Sequence, residues 1–522
     1  MINFIFFIIK KFFLYKLYVN YYARTYNFEK FDYNFRNIEF FDTNILKKIF
    51  YSDKYLSKRS INEESYDYHS FDWINFSKKI GGVESVKKTK KHILNWVEKK
   101  YSKQTIIWNS VFVSKRFINI LYNYDFFTIS SSKKDKEIIN KIIFEHFFFI
   151  NLYLNRKKAH EINIEEIKAK ILGSLIFDQK INKNLDLLHN VISLQINKNG
   201  FHKSYSPSNH VDFLNNLVEI KNILLYFKIN ESKQLNFQIL NVSSLLIALT
   251  HKNNTLALYN GSNNFYINET KALIHQAKDV KEKNYDLLSE GLLIYGDKNK
   301  KIFMDITKPT NQLLNSNIHA GTLSLEISAL NEKIITNCGS LEKRIGEKPE
   351  YLRYSAAHST IIINNTNISE LKKKKSYKRI PKNLTVKQKK IKDYDIWEAS
   401  HDGYINNYKR IVKRVVKINR NKNEFYGEDS IITTKIDSAK VSYSIRFHCT
   451  PECNLLITND NKTIILRTKL NNTWLFKSSA KLKIEDSVYV ENGKNIKQNK
   501  QIVIYGYSDS KKKVDNWSLC LT

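Results

Sequence analysis

Residues 319–339 read HAGTLSLEISALNEKIITNCG. From Gly321 to Ser328 apolar and polar side chains alternate, which sets the apolar ones on one face of an extended strand. Leu330-Asn331-Glu332 then reads as a turn, and residues 333–337 return as the second strand of a hairpin. The same period continues to the C-terminus. A short strand is expected at 359–363, ended by Asn364-Asn365, and a long hairpin at 410–418 and 424–433. Further strands are expected at 442–447, 463–468 and 501–505. Many short strands separated by turns imply an antiparallel β-sandwich. No repeat of fixed period runs through them, which excludes propellers and solenoids.

Upstream the period changes. Between about residues 85 and 250, apolar side chains recur at helical spacing. Helices are expected at 86–100, 136–156, 167–177, 185–196, 210–227 and 235–249, joined by short polar connections. Such a series packs as a bundle, a solenoid or an α/α toroid. A chain of 522 residues exceeds one ordinary core, and the change of period sets the expected division at 1–280 and 281–522.

The chain carries 85 basic and 51 acidic residues, a formal net charge of +34. A field of that sign attracts polyanions, whether nucleic acid, an anionic membrane surface or an acidic polysaccharide. Lys, Asn, Ile, Phe and Tyr are also abundant while Gly and Pro are scarce, so part of the lysine content is compositional bias. Residues 372–392 (KKKKSYKRIPKNLTVKQKKIK) concentrate the charge, and read as an exposed, solvated loop, with a rim that grips an anionic chain as the alternative. The N-terminal MINFIFFIIKKFFLYKLYVNYY is apolar, aromatic and basic. Its first apolar run is too short to span a bilayer. It lacks the pattern of a secretory signal, and reads as a first helix, with peripheral membrane contact as the alternative. Cys338, Cys449, Cys453 and Cys520 show no zinc-ligand spacing and read as free thiols.

P-loop, GxGxxG, GxSxG and HExxH patterns are absent from the sequence. Four histidine-bearing segments stand out instead: 199–210 (NGFHKSYSPSNH), Asn317-Ile318-His319-Ala320-Gly321, Ala357-His358-Ser359-Thr360, and Ser400-His401-Asp402-Gly403-Tyr404. The first lies between two helical stretches, where Gly200 and Pro207 restrict the backbone, and loops of this kind carry sites.

Together these segments resemble the heparinase II/III family. Residues 199–210 parallel a family signature reading approximately DGGHFERSPMYH. His319 with its following hairpin, and the strand start at Ala357–Thr360, parallel two more. His69-Ser70-Phe71-Asp72-Trp73, SHDGY at 400–404, GED at 427–429, RFH at 446–448 and EDSVY at 485–489 add to the likeness, which runs from residue 69 to the C-terminus. The resemblance implies an incomplete α/α toroid followed by an antiparallel β-sandwich, with β-elimination on a uronic-acid polysaccharide. That chemistry needs a neutralised carboxylate, a base for the C5 proton, and an acid for the leaving oxygen.

On this pattern the catalytic groups are His202, His319 and Tyr259, with Tyr205 as second choice for the tyrosine. Asn199, Tyr205, Asn209, His210, His358 and His401 are expected at the substrate. His202 and His319 are expected to face one another at roughly 6–10 Å, the span of a sugar ring with a hydrogen bond on each side. The sequence departs from the family at Ser204-Tyr205, where a Glu-Arg pair is usual, at Asn209 in place of Tyr, and at Asn337 in place of Asp. A family metal near His358 is therefore not expected, and neither is any other cofactor. The expected partner is an acidic polysaccharide and not nucleic acid, and the expected place is the cell envelope, periplasmic. The rival reading is a catalytically silent polysaccharide-binding protein of the envelope on the same scaffold.

Overall fold

A computed structural model describes residues 17, 19–26, 28, 68–98, 107–230, 233–264, 267–276, 291–309, 318–341, 350–372, 376–435, 438–509 and 511–522. Most of the N-terminal apolar segment, residues 1–16, lies outside the described residues. No helix among the described residues is long and apolar enough to cross a membrane. The chain divides into two compact units, Met1–Leu194 with Asn215–Phe237, and Gln195–Leu214 with Gln238–Thr522.

The first unit is helical, the expected incomplete toroid of α-helices. Its helices are α1 (Trp73–Ile80), α2 (Gly82–Glu98), α3 (Ser110–Tyr122), α4 (Tyr124–Thr128), α5 (Lys133–Leu154), α6 (Ile164–Ile176) and α7 (Asn182–Gln195). Local chemistry starts them: the Asn109 side chain accepts the N–H groups of Val111 and Phe112, and Asn163 with Glu166 forms a capping box. Polar side chains fasten the interior. Arg116, fully buried, donates to His146 Nε2 (2.9 Å) and to the carbonyls of His69 (2.8 Å) and Ile107 (3.0 Å). The HSFDW segment is part of this frame, since Asp72 accepts from Asn119 (2.8 Å) and Ser70 (2.9 Å).

Three helices follow, α8 (Pro207–Tyr226), α9 (Lys233–Ala248) and α10 (Ile267–Gln276), and then the strands begin. In order they are β1 (Leu292–Gly296), β2 (Lys300–Asp305), β3 (Leu325–Ala329), β4 (Glu332–Thr336), β5 (Ile361–Ile363) and β6 (Glu370–Lys372). Next come β7 (Ser376–Arg379), β8 (Leu384–Ile391), β9 (Tyr394–Tyr404), β10 (Arg410–Asn419), β11 (Glu424–Thr433) and β12 (Val441–Cys449). The last are β13 (Asn454–Ile457), β14 (Thr463–Arg467), β15 (Thr473–Ser478), β16 (Leu482–Glu491), β17 (Asn495–Ser508) and β18 (Lys512–Leu521).

One large sheet has the order β1-β2-β3-β4-β12-β17-β16 with β5 on β12, a second the order β13-β14-β15-β18-β11-β10-β9-β8, and β6 and β7 pair as a small separate sheet. Every pairing between the described strands is antiparallel.

The two large sheets share one core. Ile302, Ile327, Ile361, Phe447 and Ile504 from the first meet Trp397, Val416, Phe425, Trp474 and Trp517 from the second. Gly427 makes room for Trp517: a Cβ there would lie 2.0 Å from the indole. The four cysteines are free, as expected.

Two expectations shift. The β3 strand starts at Leu325 rather than at 321, because Leu323 has φ 65° and residues 321–324 close a turn. The basic stretch 372–392 is not a loop, since its described residues include β7 and β8. Lys387, Lys389 and Lys390 lie exposed on β8, an edge strand, where lysines oppose pairing with another chain.

A polar strut crosses the sandwich. Arg414 on β10 pairs with Asp429 through Nε (2.7 Å) and Nη2 (2.9 Å), and its Nη1 donates to the carbonyls of Leu323 (2.8 Å) and Ser359 (2.9 Å), which precede β3 and β5. Trp517 Nε1 also donates to Asp429 (3.0 Å). Removing one partner of such a pair leaves a buried charge uncompensated, at about 3–5 kcal/mol. Asp429→Ala is therefore expected to lower the unfolding midpoint in thermal denaturation by many degrees. A midpoint unchanged from wild type would show that the strut does not hold the sheets.

Candidate functional site

Residues 195–210 form a tight excursion between α7 and α8. An isolated bridge pairs Ile196 with His202, and Gly200 turns the chain at φ 88°. A Cβ at Gly200 would lie 2.9 Å from the Asn241 side chain, so glycine is required for both reasons. Tyr205 N–H closes the next turn on His202 O (2.9 Å), and Tyr205 itself sits at φ 54°. A bulky residue in that region carries about 1–3 kcal/mol of strain and marks a position worth a functional reading.

Within this loop the tautomer of His202 is fixed. Asn209 Nδ2 (3.0 Å) and Ser206 N–H (3.3 Å) both donate to Ser204 Oγ. Ser204 Oγ therefore gives its own proton to His202 Nδ1 (2.8 Å), which also accepts the Ser204 N–H (3.2 Å). With Nδ1 accepting, the ring proton of His202 resides on Nε2.

One carboxamide ties this loop to the segment that carries His319. Asn260 Nδ2 donates to Tyr205 O (3.1 Å) and to Thr307 Oγ1 (3.3 Å), while its Oδ1 accepts His319 N–H (3.2 Å). Asn260 stands at φ 52°, a conformation asparagine tolerates better than most residues. His319 Nδ1 in turn lies 3.2 Å from His358 Nε2. His202, Tyr205, Asn209, His319 and His358 are thus joined by a chain of hydrogen bonds that runs through Asn260.

Behind Asn260 lies a buried carboxylate. Glu326 accepts from His251 Nε2 (2.8 Å), Leu258 N–H (3.1 Å), Lys333 Nζ (3.2 Å), Thr336 Oγ1 (3.3 Å) and both N–H (3.0 Å) and Nδ2 (3.2 Å) of Asn337. Burial opposes its charge, but Lys333 and His251 outweigh that and hold it down at about 2. Asn337 is fully engaged, because its Oδ1 accepts Ser359 N–H (3.0 Å). Among the described residues no group of three His, Cys, Asp or Glu is placed to hold a metal ion.

Other expected residues fall outside this chain. Tyr259 is fully buried and donates to the carbonyls of Phe303 (3.2 Å) and Ser324 (3.4 Å). Burial, then Glu326 and Asp305, raise its phenol well above 10. A group so enclosed is a core brace, and it is not set up to take a proton from a sugar. Tyr205 is half-buried and lies on the His202 loop.

His210 is enclosed, with Nε2 donating to Val242 O (2.9 Å), and it braces the loop rather than meeting substrate. His401 is buried on β9, its Nδ1 accepting Gly403 N–H (3.1 Å). Asn199 is half-buried in the turn held by Asn197.

Residues 275–518 match the model of the heparinase II/III-like C-terminal domain. This part of the chain is a heparinase II/III-like domain. The fold agrees along nearly the whole chain. A crystal structure of heparinase III aligns at TM-score 0.72 and 12% identity, covering 96% of this chain and 88% of that one. The heparan sulfate lyase HepC of Pedobacter heparinus aligns at 0.58 and 13%, covering 97% and 87%. A chondroitin AC lyase of Streptomyces coelicolor A3 aligns at 0.51 and 6%, covering 92% and 79%. No curated protein matches by sequence. The chain therefore has the fold of these polysaccharide lyases, an α-helical toroid followed by a β-sandwich.

The heparinase II/III-like domain and its flanking loop hold three of their histidines neutral. Burial brings His210, His358 and His401 each down to about 4, against about 6.5 in an unfolded chain. Below about pH 6.5 the unfolded chain binds protons that the folded chain refuses. The stabilisation is thus complete above that pH and is lost as pH falls towards 4, at about 1.4 kcal/mol per pH unit for each group. The unfolding midpoint should drop steadily from pH 7 to pH 5. A flat midpoint over that interval would contradict the burial of neutral rings.

Proposed function

We propose that this chain cleaves a uronic-acid-containing acidic polysaccharide by β-elimination. The observation that carries the reading is the Asn260 carboxamide, which joins the His202–Tyr205 loop to the His319 segment. It binds the main chain of both segments, and those segments carry imidazoles and a tyrosine, the group types that elimination requires. The heparinase II/III-like domain and the lyase fold support the same chemistry. The net charge of +34 suits a polyanionic substrate.

In this proposal His202 Nε2–H and His319 bind the uronate carboxylate, which makes the C5 proton more acidic. The Tyr205 phenolate takes that proton, the C5–H electron pair becomes the C4=C5 double bond, and the C4–O bond breaks. The new phenol then returns the proton to the leaving oxygen, so the base is regenerated and no water is consumed. The cell envelope, where such polymers occur, is the compartment proposed with it.

A panel of heparan-, alginate- and capsule-type uronate polymers, followed by ultraviolet absorbance of the unsaturated product, tests the reading. At least one polymer should give rising absorbance, and Tyr205→Phe and His202→Ala should each reduce the rate by about 10²–10⁴-fold. Binding without absorbance on every polymer would assign the chain to silent polysaccharide binding. Full activity in both variants would remove these residues from the mechanism.

A further inference from the structure

We infer that His358 is a positioning residue that fixes the tautomer of His319, donating Nε2–H to His319 Nδ1 and so keeping the His319 proton on Nε2. The consequence for turnover rests on the lyase reading, while the tautomer itself does not.

The two rings meet with His319 Nδ1 and His358 Nε2 at 3.2 Å, their centroids 5.2 Å apart and their planes at 63°. A hydrogen bond between two imidazole nitrogens holds one proton, and either ring can supply it. The far side of His358 decides which. His358 is 2% exposed, and its Nδ1 is buried without a protein partner. If His358 accepted at Nε2, its proton would sit on Nδ1 as a buried N–H with nothing to receive it. If it donates at Nε2, only a lone pair is left unmatched. Buried N–H groups without a partner are the rarer and costlier case. Burial also keeps His358 uncharged at neutral pH, so it does not carry both protons.

The backbone is built for this contact. His358 follows the short helical turn Ser355–Ala357 and precedes β5, with its N–H on Ser355 O (3.1 Å). Gly321 lies against the ring: a Cβ there would come within 2.9 Å of His358 Cγ. Gly321 is two positions beyond His319, so the glycine that admits the His358 ring belongs to the segment the ring orients.

His202 reaches the same tautomer by another route, through Ser204. Both histidines then enter the reaction as Nε2–H donors. Neither has a free ring nitrogen to act as base, which leaves that task to Tyr205.

Histidine-selective nitrogen-15 labelling of the full chain, with long-range proton–nitrogen correlation, reads the tautomer directly, and His319→Gln identifies the signal. His319 should be a single Nε2–H tautomer in the wild-type protein. The same tautomer should persist in His358→Gln, whose amide keeps an N–H donor, and should be lost in His358→Ala. A wild-type His319 protonated on Nδ1, or a tautomer unchanged in His358→Ala, overturns the inference. If His358→Ala does not fold, the wild-type spectrum alone decides.

On a cleaved polymer, His358→Ala should lower kcat by about 10–100-fold with KM little changed, and His358→Gln should recover most of it. Equal loss in both variants overturns the positioning role. The spectra need no turnover, so inactivity on every polymer would defeat the lyase reading without touching the tautomer result.

Discussion

The buried carboxylate of Glu326 is the constraint on which the candidate site depends. It gathers donors from the segment between α9 and α10 (His251 and Leu258) and from the β4 hairpin arm and its end (Lys333, Thr336 and Asn337). A carboxylate removed from water is costly unless each oxygen is satisfied. These donors meet that condition, and the segment at 251–264 is therefore held against the sandwich strands. Asn260 lies two residues beyond Leu258, so its contacts with Tyr205 and His319 inherit their position from Glu326. Asn337 links the same carboxylate to Ser359, the neighbour of His358. A single ionised group thus aligns three separate stretches of chain that each carry part of the site.

The electrostatics follow from burial. The site combines one strongly satisfied anion with imidazoles that burial keeps neutral, His251 at about 3 and His358 at about 4. Neutral imidazoles act through the placement of one proton, so the group that holds that proton matters as much as the ring itself. Ser204 does this for His202. The short chain Asn209–Ser204–His202 also shows how departures from the family signature can be put to use: serine and asparagine at these two positions replace a charged and an aromatic residue, and together they orient the ring.

Much of the architecture was legible in local periodicity. The hairpin of β3 and β4 follows from the alternation in 321–337, and its turn residues Leu330 and Asn331 both take positive φ (51° and 63°), as a tight two-residue turn demands. The helices at 164–176 and 207–226 lie within a few residues of their expected bounds. What periodicity could not show is which polar positions are covered. Glu326 occupies a polar place in LSLEIS and reads as solvent-facing, yet it is fully buried because residues 251–258 lie over it. The lysines of β8 masked a strand because both faces of its end are exposed.

The burial that distinguishes the two candidate tyrosines was hidden for the same reason. Tyr259 and Tyr205 both stand near turn signals, and only tertiary packing separates a phenol enclosed by Phe303 and Ser324 from one on a strained, half-buried turn. The Asn260-Gly261 pair did advertise a turn, but its long-range partners, Tyr205 and His319, are 55 and 59 positions away and leave no local trace.

The central claim is that these groups break a glycosidic bond by elimination, with the proton cycling through one tyrosine and no water entering. Mass spectrometry of a defined uronate oligosaccharide before and after digestion tests this most directly. Elimination requires that the masses of the two fragments sum to that of the uncut oligosaccharide. A sum greater by one water would mean hydrolysis, and would contradict the account.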